Sequence, residues 1–332
     1  MEKKERIQWL ALLRGLNIIL VVMYHARLID LATGETNSFC YEVCVPFNSF
    51  RMPLFIFCSG GLLYLSRINK GWHTKDLYID KFFRIVIPFL FFVTFYYLLK
   101  VGLSPLVKTK AVLSISFFLE SFAIYPNHPS AHLWFLAVLF WFMLLYPLFS
   151  WLCQHQVRTI VFLLFTIAIY FLEIDRPDNW FYIFSLNKYL VFFFSGIVFF
   201  RFRIYQYTDN LICLLSALVL YILCYWYDIT LLVSLTGIAL MISFCQWISH
   251  YWPTLFSSFR EYIYQIFLMS FIFQPMVELV LWQRLFYNEQ LFLFFYILNV
   301  LSGIFMPVLI SKLAERYGPR WLKICLGLKG FN

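Results

Sequence analysis

The chain has 332 residues, of which 62% are hydrophobic and 13% charged, with 41 Phe, 22 Tyr and 11 Trp. Soluble domains run at about 45–50% apolar and about 25% charged, so this composition excludes a water-facing globule and marks an integral membrane protein, a single domain over 1–332. The net charge of +9 is spread over separate loops rather than gathered on one face, which argues against a nucleic-acid surface.

Apolar runs of about 20 residues, the length a helix needs to cross hydrocarbon, predict an all-α polytopic bundle. The spans fall at 8–30, 46–66, 82–103, 132–153, 158–174, 186–201, 208–227, 230–249, 261–282 and 291–312, about ten in all. The first run is too long for a cleavable signal and lacks a small-residue cleavage site, so it is expected to remain as the first span. The shorter apolar stretch 110–125, flanked by Lys108, Lys110 and a Pro-Asn-His-Pro run, reads as an interfacial or re-entrant piece. With the N-terminus inside, the inner segments hold 17 Lys and Arg and the outer segments 7. This is the positive-inside bias, and it predicts both termini in the cytoplasm of a cell's inner membrane.

The first span contains "RGLNIILVVMYHARL", which places Arg14 and His25 eleven residues apart, near three helical turns. They share one face, roughly 16 Å apart along the axis. Ionisable groups at membrane depth are costly, so they face a bundle interior or a wet cavity and are functional candidates. The bland alternative is that Arg14 snorkels to headgroups and His25 makes a structural hydrogen bond. The next loop carries Cys40 and Cys44, able to pair on an oxidising side but not spaced as a metal site.

In "FRMPLFIFCSGGLL" a third ionisable group, Arg51, opens the second span at about the depth of His25. Its Ser59-Gly60-Gly61 step lets a helix or ligand approach closely. In "KDLYIDKFFRIVIPF" Lys81 and Arg84 stand one turn apart where the third span enters from the cytoplasm. Topology alone explains them; aligned below Arg14 they make a cationic mouth fit for a phosphate-bearing cosubstrate. His128 and His132 are four apart, but with no carboxylate nearby in sequence no metal site is expected. No internal repeat, phosphate-cradling Gly-rich loop or nucleophile elbow is found.

Taken in order, these motifs resemble acyltransferase family 3, the multi-pass membrane enzymes that O-acylate bacterial glycans, and most of all its fucose 4-O-acetylase-like branch. Arg14 and His25 match the family's Arg, ten residues, then His. Lys81 and Arg84 match its basic-x-x-Arg step, "HLWF" at 132–135 a later span entrance, and "FFFSGIVFFR" its Phe-x-x-Gly step. Three positions depart: Arg51 replaces the branch's usual His, Lys81 stands for Arg, and "EYIYQIF" puts Phe267 where the pattern has His.

The resemblance implies a cytoplasmic acyl-CoA donor, most simply acetyl-CoA, whose phosphates meet Lys81, Arg84 and Arg14. It implies a surface-polysaccharide or lipid-linked glycan as acceptor, with His132 and Trp134 on the substrate side. Neutral imidazole is the side chain best matched to taking a hydroxyl proton near neutral pH, which makes His25 the expected general base. Asp30 is expected to orient it and Arg51 to steady the oxyanion. Two other classes also use such groups: a flippase or transporter of a lipid-linked sugar, and an inactive relative acting in polysaccharide assembly.

Overall fold

Backbone amides in lipid find no water to pair with, so apolar runs fold as helices that satisfy their own hydrogen bonds. The computed structural model describes residues 2–29, 31, 34–35, 37–104, 113–123, 128, 130–172 and 180–328, and these are all-helical. The helices are α1 (Glu2–His25), α2 (Arg51–Ser66), α3 (Thr74–Gly102), α4 (Ile115–Ala123), α5 (Trp134–Leu144), α6 (Tyr146–Leu152) and α7 (Gln156–Tyr170). They continue as α8 (Leu186–Arg201), α9 (Leu211–Trp226), α10 (Thr230–Tyr251), α11 (Ile263–Met276), α12 (Phe292–Tyr317) and α13 (Arg320–Cys325).

Each of the ten expected runs coincides with helix, but among the described residues six segments are long and apolar enough to cross a membrane, and eight if two bent pairs count as one span each. The bent pairs are Ser38–Asn48 with Arg51–Lys70 and Ala131–Leu144 with Tyr146–Leu152, turning by 43° and 55°. The two remaining runs form α7 and α9, of 15 and 16 residues. At about 1.5 Å per residue these fall short of the roughly 30 Å hydrocarbon core. Hydropathy counts apolar residues, whereas the helix ends are decided by local breaks, and that is where the counts part. Within 110–125 the described residues, 113–123, carry α4, a nine-residue helix.

The described residues group into two compact units, Met1–Cys58 with Phe202–Arg316 and Ser59–Arg201 with Tyr317–Asn332. In the first, α1 packs on α10 and α11, and α9 pairs with α10. The outward stripe of α12, Leu293, Ile297, Leu301, Phe305 and Leu309, is exposed, while Tyr296, Asn299, Gly303 and Pro307 are buried. An apolar exposed stripe beside a mixed buried one is the pattern of a helix with lipid at its back. Just past α1, Ala26 and Leu28 pack with Cys40, Trp282, Phe295 and Tyr296 in a buried cluster, and the Trp282 indole donates to the Ile29 carbonyl at 2.7 Å. That cluster pins the end of α1 and with it His25. Cys40 and Cys44 are separate thiols.

In the second unit the small residues of α2 meet α8. A Cβ on Gly60 would overlap the Phe193 carbonyl, and one on Gly61 the Phe200 ring. The close approach that the Gly-Gly step allows is therefore taken by a helix. Around it Phe142 stacks on Phe193 with ring centroids 4.4 Å apart, and Phe149 lies 5.6 Å from Phe193.

Candidate functional site

The first unit places three of the expected residues on the interior of its bundle. His25, the last residue of α1, is half-buried, with its ring 4.5 Å from Phe271 of α11 and 4.9 Å from Tyr24. Tyr24 is the hinge of the cluster: the Arg51 guanidinium lies over its ring at 3.3 Å and that of Arg27 at 4.8 Å. Arg51 is 9% exposed and donates to the Asn48 side chain as well. Its position is set from behind, because Tyr221 of α9 donates to the Pro46 carbonyl, Ser234 of α10 donates to the Ser49 carbonyl at 2.7 Å, and Gly237 admits the Phe50 ring. A cation over an aromatic face in a desolvated setting contributes about 2 kcal/mol, so Tyr24 holds a charge where lipid alone would expel it. His25 and Arg51 thus belong to one constellation, joined by an aromatic ring that spacing rules do not pick out.

Arg14 sits three turns down α1, half-buried, within electrostatic reach of the Cys58 thiol on α2. One turn on from it, Asn17 is buried. Asp30, the expected orienter of His25, lies outside the described residues. Phe267 is buried, its ring 6.1 Å from Phe55, so the position where the family pattern has His is apolar.

Lys81 and Arg84 fall in the second unit, and their surroundings correct the picture of a bare cationic mouth. Asp80 stands among them: Arg67 Nη2 is 3.1 Å from Oδ2, Lys81 Nζ 3.7 Å from Oδ2, and Arg84 Nε 2.9 Å from Oδ1. The Arg67 guanidinium also stacks on Trp72 at 3.4 Å. Three cations around one carboxylate leave a local excess of two positive charges, held in place by that carboxylate. The backbone explains the arrangement. Pro88 has no N–H to offer the Arg84 carbonyl and would clash with it, so the chain widens into a π turn over Phe82–Val86, where Ile87 N–H reaches back to the Phe82 carbonyl. Such turns recur at functional sites because they re-aim side chains. Arg67 and Asp80 were both legible in principle, Asp80 as the residue four before Arg84.

His132 and Trp134 turn to different neighbours. The His132 ring meets Tyr96 of α3 edge-on at 4.2 Å, while Trp134 stacks on Tyr189 at 5.1 Å and lies 5.9 Å from Tyr182. His128, contrary to the sequence expectation, does have a carboxylate nearby, with Glu120 3.7 Å away. Burial pulls the His128 pKa below its ordinary value. Among the described residues no three His, Cys, Asp or Glu gather as a metal site.

A comparison with family models matches residues 7–314 to the acyltransferase 3 family, described as "Acyltransferase domain". The match runs through both units and includes every candidate residue named above. No curated protein and no solved structure matches the chain.

Proposed function

The chain belongs to the acyltransferase 3 family and is a multi-pass membrane acyltransferase; from that membership we propose that it transfers an acyl group, most simply acetyl, from cytoplasmic acyl-CoA to a hydroxyl of a surface or lipid-linked glycan. The observation that carries the reading is the His25–Tyr24–Arg51 cluster, an imidazole and a guanidinium held together by one ring inside an apolar bundle. His25 takes the acceptor's hydroxyl proton as its oxygen attacks the thioester carbonyl. The C–S bond then breaks, and the proton passes to the departing CoA thiolate. Arg51, fixed over Tyr24, is positioned as the cation that steadies the oxyanion between these steps.

In this reading the donor's phosphates meet Lys81 and Arg84, whose arrangement around Asp80 supports an anion site. Arg14 marks the donor end of α1. Trp134 with Tyr189 offers an aromatic face of the kind sugars stack on. The protein sits in the cytoplasmic membrane with both termini inside, the arrangement supported by the charge bias of its loops. Asp30 as orienter of His25 rests on sequence alone. Family membership leaves the flippase reading without an observation in its favour. The test is an isotope-labelled acetyl-CoA assay on inside-out vesicles from a strain deleted for the gene and re-supplied with it. Label appearing in surface glycan only with the restored chain is the expected result. Label that never leaves the CoA pool overturns the reading.

A further inference from the structure

Glu278 is a half-buried carboxylate inside the apolar segment Arg260–Leu285, which contains α11. An ionisable group in such a segment is costly and marks a functional site by default. Neither the proton transfer at His25 nor the oxyanion at Arg51 calls on it.

Two neighbours on the same helical stripe fix its place. Gln274, Glu278 and Trp282 follow at steps of four, which puts them on one side of the segment. Gln274 Nε2 donates to the Val22 carbonyl at 2.8 Å and the Trp282 indole to the Ile29 carbonyl at 2.7 Å. The segment therefore rises alongside α1, and Glu278, midway between the two anchors, stands at the level of His25 and Ala26. Cys40 agrees with that height, its thiol 3.9 Å from the Ala26 carbonyl and within electrostatic reach of Glu278. Past Met276 the chain winds as a π-helix over Val277–Leu285, a widening that recurs at functional sites. There Gln283 Nε2 donates to Glu278 Oε1 at 3.2 Å.

Interactions link this carboxylate to the imidazole. Arg27 is within electrostatic reach of Glu278, its guanidinium covers the Tyr24 ring at 4.8 Å, and that ring lies 4.9 Å from the ring of His25. Arg27 is exposed, and His25, Glu278 and Gln283 are each half-buried, so the group opens to the surface at the end of α1. The His25 ring meets Phe271, seven residues before Glu278. Carboxylate and imidazole are thus about 10 Å apart along the segment, a distance that one sugar ring with a hydrogen bond at each end spans.

We propose that Glu278, Arg27 and Gln283 form the acceptor subsite, which binds a neutral sugar through hydroxyls next to the one that His25 deprotonates. This rests on the glycan acceptor proposed above. The chemistry of the set selects the class. An ionised carboxylate only accepts and takes the protons of two adjacent hydroxyls, a guanidinium only donates, and a carboxamide does both. An acidic sugar would be repelled by Glu278, and a protonated amino sugar by Arg27 and Arg51. Uncharged hydroxyls meet all of these groups without repulsion.

The test uses purified protein in nanodiscs, labelled acetyl-CoA, and surface glycan extracted from the strain deleted for the gene. The melting temperature establishes that each variant is folded. For Glu278→Gln we expect the KM for glycan to rise about tenfold, the usual loss with a charged hydrogen-bond acceptor, and the KM for acetyl-CoA to stay as in wild type. Glu278→Asp keeps the charge beside Arg27 but draws the carboxylate back by one methylene, and it should raise the glycan KM as well. A carboxylate that served only to neutralise Arg27 would leave the Asp variant with wild-type kinetics, and that result overturns the subsite even where the Gln variant fails to fold. A Gln variant with an unchanged glycan KM, or with the lower one that an acidic acceptor would give, also overturns it. Each of these outcomes leaves the acyltransferase reading standing. A wild type that moves no label to glycan overturns the acceptor, and the subsite with it.

Discussion

His25 is the residue on which the proposed chemistry turns. Its ring is fixed on two sides, by Tyr24 and by Phe271, so an alanine leaves those rings in place and removes only the imidazole. His25→Ala should cut glycan acylation by about 10²–10⁴, the usual cost of a positioned general base, with insertion and melting temperature close to wild type. His25→Gln sharpens the point because it keeps a polar group but cannot take the proton. A Gln variant acylating at the normal rate would make His25 structural. Of the polar residues in the interior, Arg14, His25 and Arg51 stand out in the sequence because charge in an apolar run is conspicuous. Tyr24 does not, since an aromatic among 22 tyrosines carries no signal until its ring is seen under a guanidinium.

At the scale of elements, two contacts decide how the helices hold their side chains. A methyl on Gly60 would run into the Phe193 carbonyl, backbone that cannot swing aside, whereas Gly102 at the end of α3 has open space around it. Gly60→Ala should therefore destabilise by about 1–3 kcal/mol as an overpacked contact. Gly102→Ala should be neutral or stabilising by up to about 1 kcal/mol. Thermal unfolding in detergent compares them, and equal melting temperatures would disprove the close packing of α2 on α8. The π turn of α3 sets the other contact. Lys81→Ala and Arg84→Ala each remove one of three cations from around Asp80. Each is expected to raise KM for acyl-CoA several-fold with kcat little changed, the mark of lost ground-state binding. An unaltered KM in purified variants would reduce the pair to topology signals.

For the whole molecule, the sharpest expectation is orientation. The bias of 17 inner to 7 outer cations predicts that a reporter fused after residue 332 reads cytoplasmic and one placed within 175–185 reads external. A C-terminus found outside would invert the depth assigned to His25 and separate it from an acceptor arriving from the outer face.

The sequence by itself determined the membrane class, the helical architecture and the family, because lipid imposes one backbone solution and because charges in apolar runs are rare enough to be read directly. It also put an apolar run on helix at each expected span, although α3 begins eight residues before its run and α13 matches none of them. Only the tertiary structure decided which runs are long enough to span, since a break such as that between α5 and α6 is invisible to hydropathy. It alone joined Arg51 to His25 through Tyr24, placed Asp80 among Lys81, Arg84 and Arg67, and set Gln274 beside Gly303 and Val22. These are contacts between residues distant in the chain or differing in helical phase. Periodicity reports which face of a helix is buried, and packing decides what that face meets.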